Sequence, residues 1–218
     1  MIKNLVFDFG NVLVDYDFDL FLSGFIPEAE ARKRFADIVC DPVLVDRFDK
    51  GDSSFNTIVA ELQTAYPEWH KALETFRNRQ IEAITGEVAG MRALLKQLKQ
   101  QGYRLYGLSN WSDTVYPVME KFGIFDLLDG RIISSEEHLI KPDAAIYHRL
   151  YERFALRPDE CLFTDDKAVN IQAAIATGMH AIHFQNALQF ANDFESYSRI
   201  CKRLHNRIGY KSYNFNLL

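Results

Sequence analysis

Short apolar runs and longer periodic stripes alternate along most of this chain. Asn4-Leu5-Val6-Phe7 is a run of β-forming residues that stops abruptly at Asp8, followed by Phe9-Gly10-Asn11. An apolar run bounded by a carboxylate and turn residues predicts a buried strand ending in a tight turn. From residue 88 onward such runs recur between helical stripes. Val88, Met91, Leu94, Leu95 and Leu98 share one helix face, closed by Gly102, a residue suited to the position just past a helix. Tyr103-Arg104-Leu105-Tyr106-Gly107-Leu108 predicts a second strand, ending at Ser109-Asn110. Residues 113–122 read as a helix and Arg131-Ile132-Ile133-Ser134 as a short strand. Lys141-Pro142-Asp143 precedes a helix through Ile146, Leu150 and Phe154, with Pro142 expected in its opening turn. Cys161-Leu162-Phe163-Thr164 predicts a strand ending at Asp165-Asp166, and a helix over 168–177 stops at Gly178. His180 to Phe184 is the last strand, and Asn186 is positioned to cap a final helix. Strands alternating with helices predict an α/β fold with a parallel sheet.

Residues 16–86 break this rhythm. They show no strand pattern, and helical spacing appears over 28–40, 54–65 and 69–84. Asp52-Ser53-Ser54 is a start signal for the stripe Phe55, Ile58, Val59 and Leu62, and Pro67 ends that helix. The block reads as a helical module inserted just after the first strand, its aromatics forming the module's own core rather than a cofactor box.

The chain has 218 residues, 48% hydrophobic and 25% charged, with net charge −5. That length allows one large domain or a core with an insert. The acidic balance gives no footprint for nucleic acid, and no apolar stretch approaches the length of a membrane span. No signal peptide is visible at the start. Cys40, Cys161 and Cys201 show no paired spacing, so free thiols in a reducing cytoplasm are expected. The six histidines are scattered, and no zinc-like spacing, HExxH, GxSxG or Gly-rich phosphate loop occurs. The last ten residues, Gly209 to Leu218, show no clear period.

The candidate chemistry lies at the strand ends: Asp8, Ser109-Asn110, Lys141 and Asp165-Asp166. In an open parallel sheet the carboxyl ends of the strands converge on the ligand-binding edge. Three carboxylates brought together repel, and each raises the others' pKa unless a cation intervenes. A hard divalent ion such as Mg²⁺, which takes oxygen ligands, matches that set. Lys141 would offset further negative charge, such as a bound phosphate. Ser109 and the backbone N–H groups after Asp8 and Ser109 can donate to phosphoryl oxygens.

The order Asp8, Ser109, Lys141-Pro142, Asp165-Asp166 resembles that of the haloacid dehalogenase-like hydrolases over nearly the whole chain. Asp8-Phe9-Gly10-Asn11-Val12-Leu13 with Ile140-Lys141-Pro142-Asp143 is most similar to the bacterial sugar-phosphatase branch that includes α-D-glucose-1-phosphate phosphatase. The resemblance implies a Rossmann-like core, residues 1–15 and 87–218, with an inserted α-helical cap over 16–86. It implies a Mg²⁺-dependent phosphatase of small phosphorylated metabolites, in which Asp8 attacks phosphorus and forms an aspartyl-phosphate. Mg²⁺ would be held by Asp8, the Gly10 carbonyl and the twin acids, with Asp166 favoured over Asp165. Ser109 and Asn110 would hold the phosphoryl group, and Lys141 would bridge it to Asp8.

One departure stands out. The family's phosphatases carry a second Asp two residues after the nucleophile as general acid and base; here that residue is Gly10. General acid–base help is worth roughly 10²–10⁴ in rate. A substrate with a good leaving group, such as an anomeric phosphate, would tolerate the loss, or Asp15 or Asp17 would substitute. Two other functions fit the same pattern: a 2-haloacid dehalogenase, which needs no metal, and a catalytically weak protein that binds a phosphorylated metabolite. Oligomeric state is left open.

Overall fold

The computed structural model describes residues 1–208, with side chains through 197; Gly209–Leu218 and the Cys201 thiol lie outside the described residues. The elements in order are β1 (Asn4–Phe7), β2 (Val14–Tyr16), α1 (Phe18–Ser23), α2 (Ala29–Val39), α3 (Pro42–Lys50), α4 (Phe55–Ala65), α5 (His70–Arg79) and β3 (Ile84–Glu87). There follow α6 (Met91–Gln100), β4 (Arg104–Ser109), α7 (Val115–Lys121), β5 (Gly130–Ile133), α8 (Ser134–Glu137), α9 (Ala144–Phe154), β6 (Cys161–Asp165), α10 (Ala168–Ala176), β7 (His180–His183) and α11 (Ala187–Ile208).

The main sheet has five parallel strands in the order β5-β4-β1-β6-β7. Neighbouring side chains on β1 point to opposite faces, as the two-residue period of a strand requires. Leu5 and Phe7 pack with Met91, Leu95, Leu162 and Phe190 on one face. Val6 packs with Leu108, Tyr147, Leu150 and Phe163 on the other. Both faces are therefore covered, which is why β1 and β6 read as continuous apolar runs. β1 is the central strand, and Asp8 directly follows its end, its N–H donating to the Thr164 carbonyl at 2.9 Å. Gly107 on β4 sits under the Phe9 ring: a Cβ there would lie 2.4 Å from Phe9 Cε1, so only glycine lets the residue after Asp8 fold inward.

The helices α1–α5 form a separate apolar cluster of Phe21, Phe35, Phe48, Phe55, Ile58, Leu73 and Phe76, among others. The block read as strandless is bounded by strands: β2 and β3 pair antiparallel, with Tyr16 opposite Ile84 and Val14 opposite Glu87. These strands are three and four residues long, too short for an alternation to show. The helical spacing revealed neither α1 nor α3. The start of α3 is chemically explicit, since the Asp41 side chain accepts from the N–H groups of Val43 and Leu44 and Pro42 opens the first turn. Pro142, expected inside the following helix, precedes the N-cap Asp143 and lies outside α9. Ser54 caps α4 as expected, accepting from the Thr57 N–H. Among the described residues no helix is long and apolar enough to cross a membrane.

Candidate active site

The residues named at the strand ends meet at the carboxyl edge of the sheet. Asp8 is 8% exposed, Ser109 1%, Lys141 4% and Asp165 0%, so this is a largely dry cluster in which charges must find partners. Lys141 Nζ lies 2.9 Å from Asp8 Oδ1 and 2.7 Å from Asp165 Oδ2. The same ammonium sits 5.4 Å above the Phe163 ring. One cation thus serves two buried carboxylates.

Asp8 Oδ1 also accepts from the Phe9 N–H at 2.7 Å, which fixes the plane of the carboxylate. Asp165 is saturated: besides Lys141, it accepts from the Lys167 N–H and twice from Asn170 Nδ2. Asn170 is held in turn on the first turns of α10, its carbonyl accepting from the Tyr147 hydroxyl at 3.0 Å. Asp166 is half-buried, and its carboxylate accepts from Asn11 Nδ2 at 3.2 Å. His183 Nε2 donates to the Asp166 carbonyl at 2.8 Å. One carboxylate oxygen from each of Asp8, Asp165 and Asp166 falls within 4.8 Å of the others.

Burial pushes the Asp8 carboxyl up to about 6, against the pull of Lys141 and with the Asp165 charge adding to the rise. Burial alone would lower Lys141; the two carboxylates outweigh it and hold the ammonium above its ordinary value. The cluster therefore carries more negative charge than one ammonium neutralises. Its donors are all oxygens, the set a hard divalent cation takes. The residues fit a bound Mg²⁺ on that ground.

Ser109 ends β4, beside Ile133 of β5. Asn110, expected at the phosphoryl group, is bonded to the backbone of Lys141. Its Nδ2 donates to the Lys141 carbonyl at 2.9 Å, and its Oδ1 accepts from the Lys141 N–H at 2.8 Å. That two-way pairing fixes the backbone carrying the shared ammonium. Gly10 lies on the rim, and a Cβ there would meet no atom within 4 Å. Asp15 and Asp17 are exposed, and Asp17 caps α1 through the Leu20 N–H at 2.9 Å. Neither is drawn into the cluster. Asn170 and Asn11 were not singled out from the sequence. The Asn170 spacing, five residues after Asp165 and in the first turn of a helix, is the signal that would have found it.

A parallel sheet whose central strand delivers a buried carboxylate, flanked by an ammonium and twin acids, defines a hydrolase of the α/β class. The chain belongs to the haloacid dehalogenase-like hydrolase family, whose model matches residues 2–178. It is 34% identical over 101 residues to the sesquiterpene phosphatase astK of Aspergillus oryzae, a match covering 46% of this chain and 52% of that protein. It is 27% identical over 104 residues to a flavin mononucleotide hydrolase of Arabidopsis thaliana, covering 48% and 42%. The chain thus spans about half the length of these curated relatives. A haloacid dehalogenase-family enzyme of Bacteroides thetaiotaomicron, solved with magnesium and inorganic phosphate, superimposes with a TM-score of 0.69 at 21% identity, covering 86% of this chain and 96% of that one.

Proposed function

We propose that the chain is a Mg²⁺-dependent phosphomonoesterase of small phosphorylated metabolites, working through an aspartyl-phosphate on Asp8. The observation that carries this reading is one buried ammonium shared by two carboxylates, with a third acid close by. In the first step an Asp8 oxygen bonds to phosphorus, and the bond to the ester oxygen breaks with its electron pair leaving on that oxygen. In the second, water bonds to phosphorus and the pair returns to Asp8. Lys141 bridges Asp8 and the phosphoryl group, which the Ser109 hydroxyl and the backbone N–H groups after Asp8 and Ser109 hold from other sides. Asn110 contributes by fixing Lys141. Asp8, the Gly10 carbonyl and Asp166 would hold Mg²⁺, with Asp165 committed to Lys141 and Asn170. Bound there, Mg²⁺ would supply positive charge to offset the negative charge of the phosphate and of Asp8.

Residues 16–86 act as a cap over this edge, the remainder being the catalytic core, and the cap selects the substrate. The opening Asp8-Phe9-Gly10-Asn11-Val12-Leu13 favours a sugar phosphate. A 2-haloacid dehalogenase is the second reading; the acids Asp165-Asp166 weigh against it, because a metal-free site would hold them beside an anionic substrate. Phosphate release from a panel of sugar, nucleotide and cofactor phosphates tests the choice. Turnover that disappears in EDTA and in Asp8→Asn is expected. Turnover that survives Asp8→Asn removes Asp8 as nucleophile, and halide release that survives EDTA replaces the phosphatase with the dehalogenase.

A further inference from the structure

We propose that Asp49, carried on the last turn of α3, is the proton donor and acceptor that the Asp8 loop lacks at Gly10. This rests on the phosphatase reading above and adds a residue to it.

The end of α3 is pressed onto α8, the short helix that follows β5 at the carboxyl edge of the sheet. Gly51 follows it at φ +66°, and a Cβ there would lie 2.5 Å from the Ser135 carbonyl oxygen on α8. His138 Nδ1 donates to the Lys50 carbonyl at 2.9 Å, and the Phe55 N–H donates to Asp113 Oδ1 at 3.1 Å. α8 is itself tied to the loop after Ser109-Asn110, since Ser134 Oγ accepts from the Trp111 N–H at 2.9 Å. Asp49 therefore immediately precedes an anchored turn, on the helix whose end lies against α8 just after β5.

Its surroundings are those of the site. The groups that act on its carboxyl are Lys167 after β6, Lys141, Asp8 and, on its own helix, Asp46; Tyr16 on β2 feels its charge in turn. Its carboxylate makes no hydrogen bond or ion pair with any described residue, unlike Asp165, Asp166 and Asp17. Burial pushes it up to about 6, with Lys167 and Lys141 pulling the other way. An acid so raised keeps a protonated fraction near neutral pH and is otherwise ready as a base, the balance that proton transfer in both directions requires. The space where the family's second Asp would stand is open beside Gly10.

The bookkeeping closes over one turnover. When the ester P–O bond breaks, its electron pair goes to the leaving oxygen, which takes the proton from the Asp49 carboxyl. When water attacks the aspartyl-phosphate, its proton goes to the Asp49 carboxylate and the pair returns to Asp8. Because Asp49 belongs to the helical unit, the donor is in position only while that unit is docked.

Wild type, Asp49→Asn, Asp49→Glu and the double variant Gly10→Asp/Asp49→Asn are compared with Mg²⁺ on p-nitrophenyl phosphate and on an alkyl phosphate. For Asp49→Asn, kcat on the alkyl ester is expected to fall roughly 10²–10⁴-fold. On the aryl ester it should release a rapid burst of about one nitrophenol per site and then turn over slowly, because the first step needs no acid while the second still needs a base. Asp49→Glu should retain most activity, and Gly10→Asp should rescue the double variant. If wild type is active and Asp49→Asn is within about threefold of it on both esters, Asp49 is overturned and the phosphatase reading stands. Equal loss on both esters without a burst, or failure of the rescue, makes Asp49 structural and also overturns it. A wild type inactive on both esters fails the phosphatase reading and takes this inference with it.

Discussion

Replacing Asp8 should make the metal-free protein more stable, not less. Asp8 is buried at the end of β1, and its carboxyl is raised from its ordinary 3.8 to about 6. Burial is the main cause, and Lys141 compensates only in part because Asp165 shares it. A rise of about two units at about 1.4 kcal/mol each means that the charged form costs about 3 kcal/mol on folding at pH 7. The sign follows from the raised value. The cost is fully present above the folded pKa of about 6, shrinks to about 1 kcal/mol near pH 4.5 and vanishes below the unfolded value. Asn keeps the oxygen that accepts from the Phe9 N–H but carries no charge, and it leaves Lys141 paired with Asp165. Asp8→Asn should therefore melt higher than wild type in EDTA at pH 7, by up to about 6–12 °C on the usual 2–4 °C per kcal/mol for a chain of this size. Thermal unfolding followed by circular dichroism reads this directly, at about pH 7 and about pH 4.5. Adding Mg²⁺ should raise the wild type, by about 2.7 kcal/mol at a hundred times its dissociation constant, and raise Asp8→Asn much less. A variant that melts below wild type in EDTA at neutral pH, or a gap that fails to narrow in acid, refutes the picture of an under-neutralised buried cluster.

Lys141→Met should do the opposite. It strands Asp8 and Asp165 without their shared cation, at a cost of about 3–5 kcal/mol, visible as a lower urea midpoint in EDTA together with loss of turnover. An unchanged midpoint would show that the pairing carries little weight. Gly51→Ala puts a methyl group where the Ser135 carbonyl stands and forces an L residue into positive φ, which costs at least about 1 kcal/mol. It should lower kcat/KM more than tenfold while the core keeps its far-ultraviolet spectrum. Wild-type kinetics would mean that the docking of α3 on α8 does not govern activity.

The cluster at the carboxyl edge of the sheet was readable from the sequence because each piece of it breaks a local rule. The run Leu5-Val6-Phe7 ends on an acid, and Cys161 to Thr164 end on two. Burial on both faces writes central strands as unbroken apolar runs, so their ends are sharp. What stayed hidden depends on distant partners. Val14-Asp15-Tyr16 and Ile84-Thr85-Gly86-Glu87 become strands only because each pairs with the other across the helical unit. Asn110 reads as a ligand at a strand end, and only the fold shows its amide nitrogen and oxygen each bonded to the Lys141 backbone. Asp49 reads as one more acid on a helix. Its partial burial and its raised pKa come from the way α3 docks against α8, which no spacing within residues 42–50 announces. α3 itself had a legible start in Asp41-Pro42 and a legible stop in Gly51, but its nine residues bury only Leu44 and Phe48, too few to show a repeat.

The antiparallel pairing of Tyr16 with Ile84 brings the two exits from the core side by side. A segment leaving and re-entering through adjacent doorways is a cassette: it can be lengthened, exchanged or trimmed to a hairpin without moving β1. Under the proposed roles of Asp49 and of the helical unit, such an exchange would transplant part of the reaction along with the choice of substrate. A chimera carrying a foreign segment would keep the ability to accept a phosphoryl group on Asp8 yet stall there, unless the graft brought a suitably placed acid of its own.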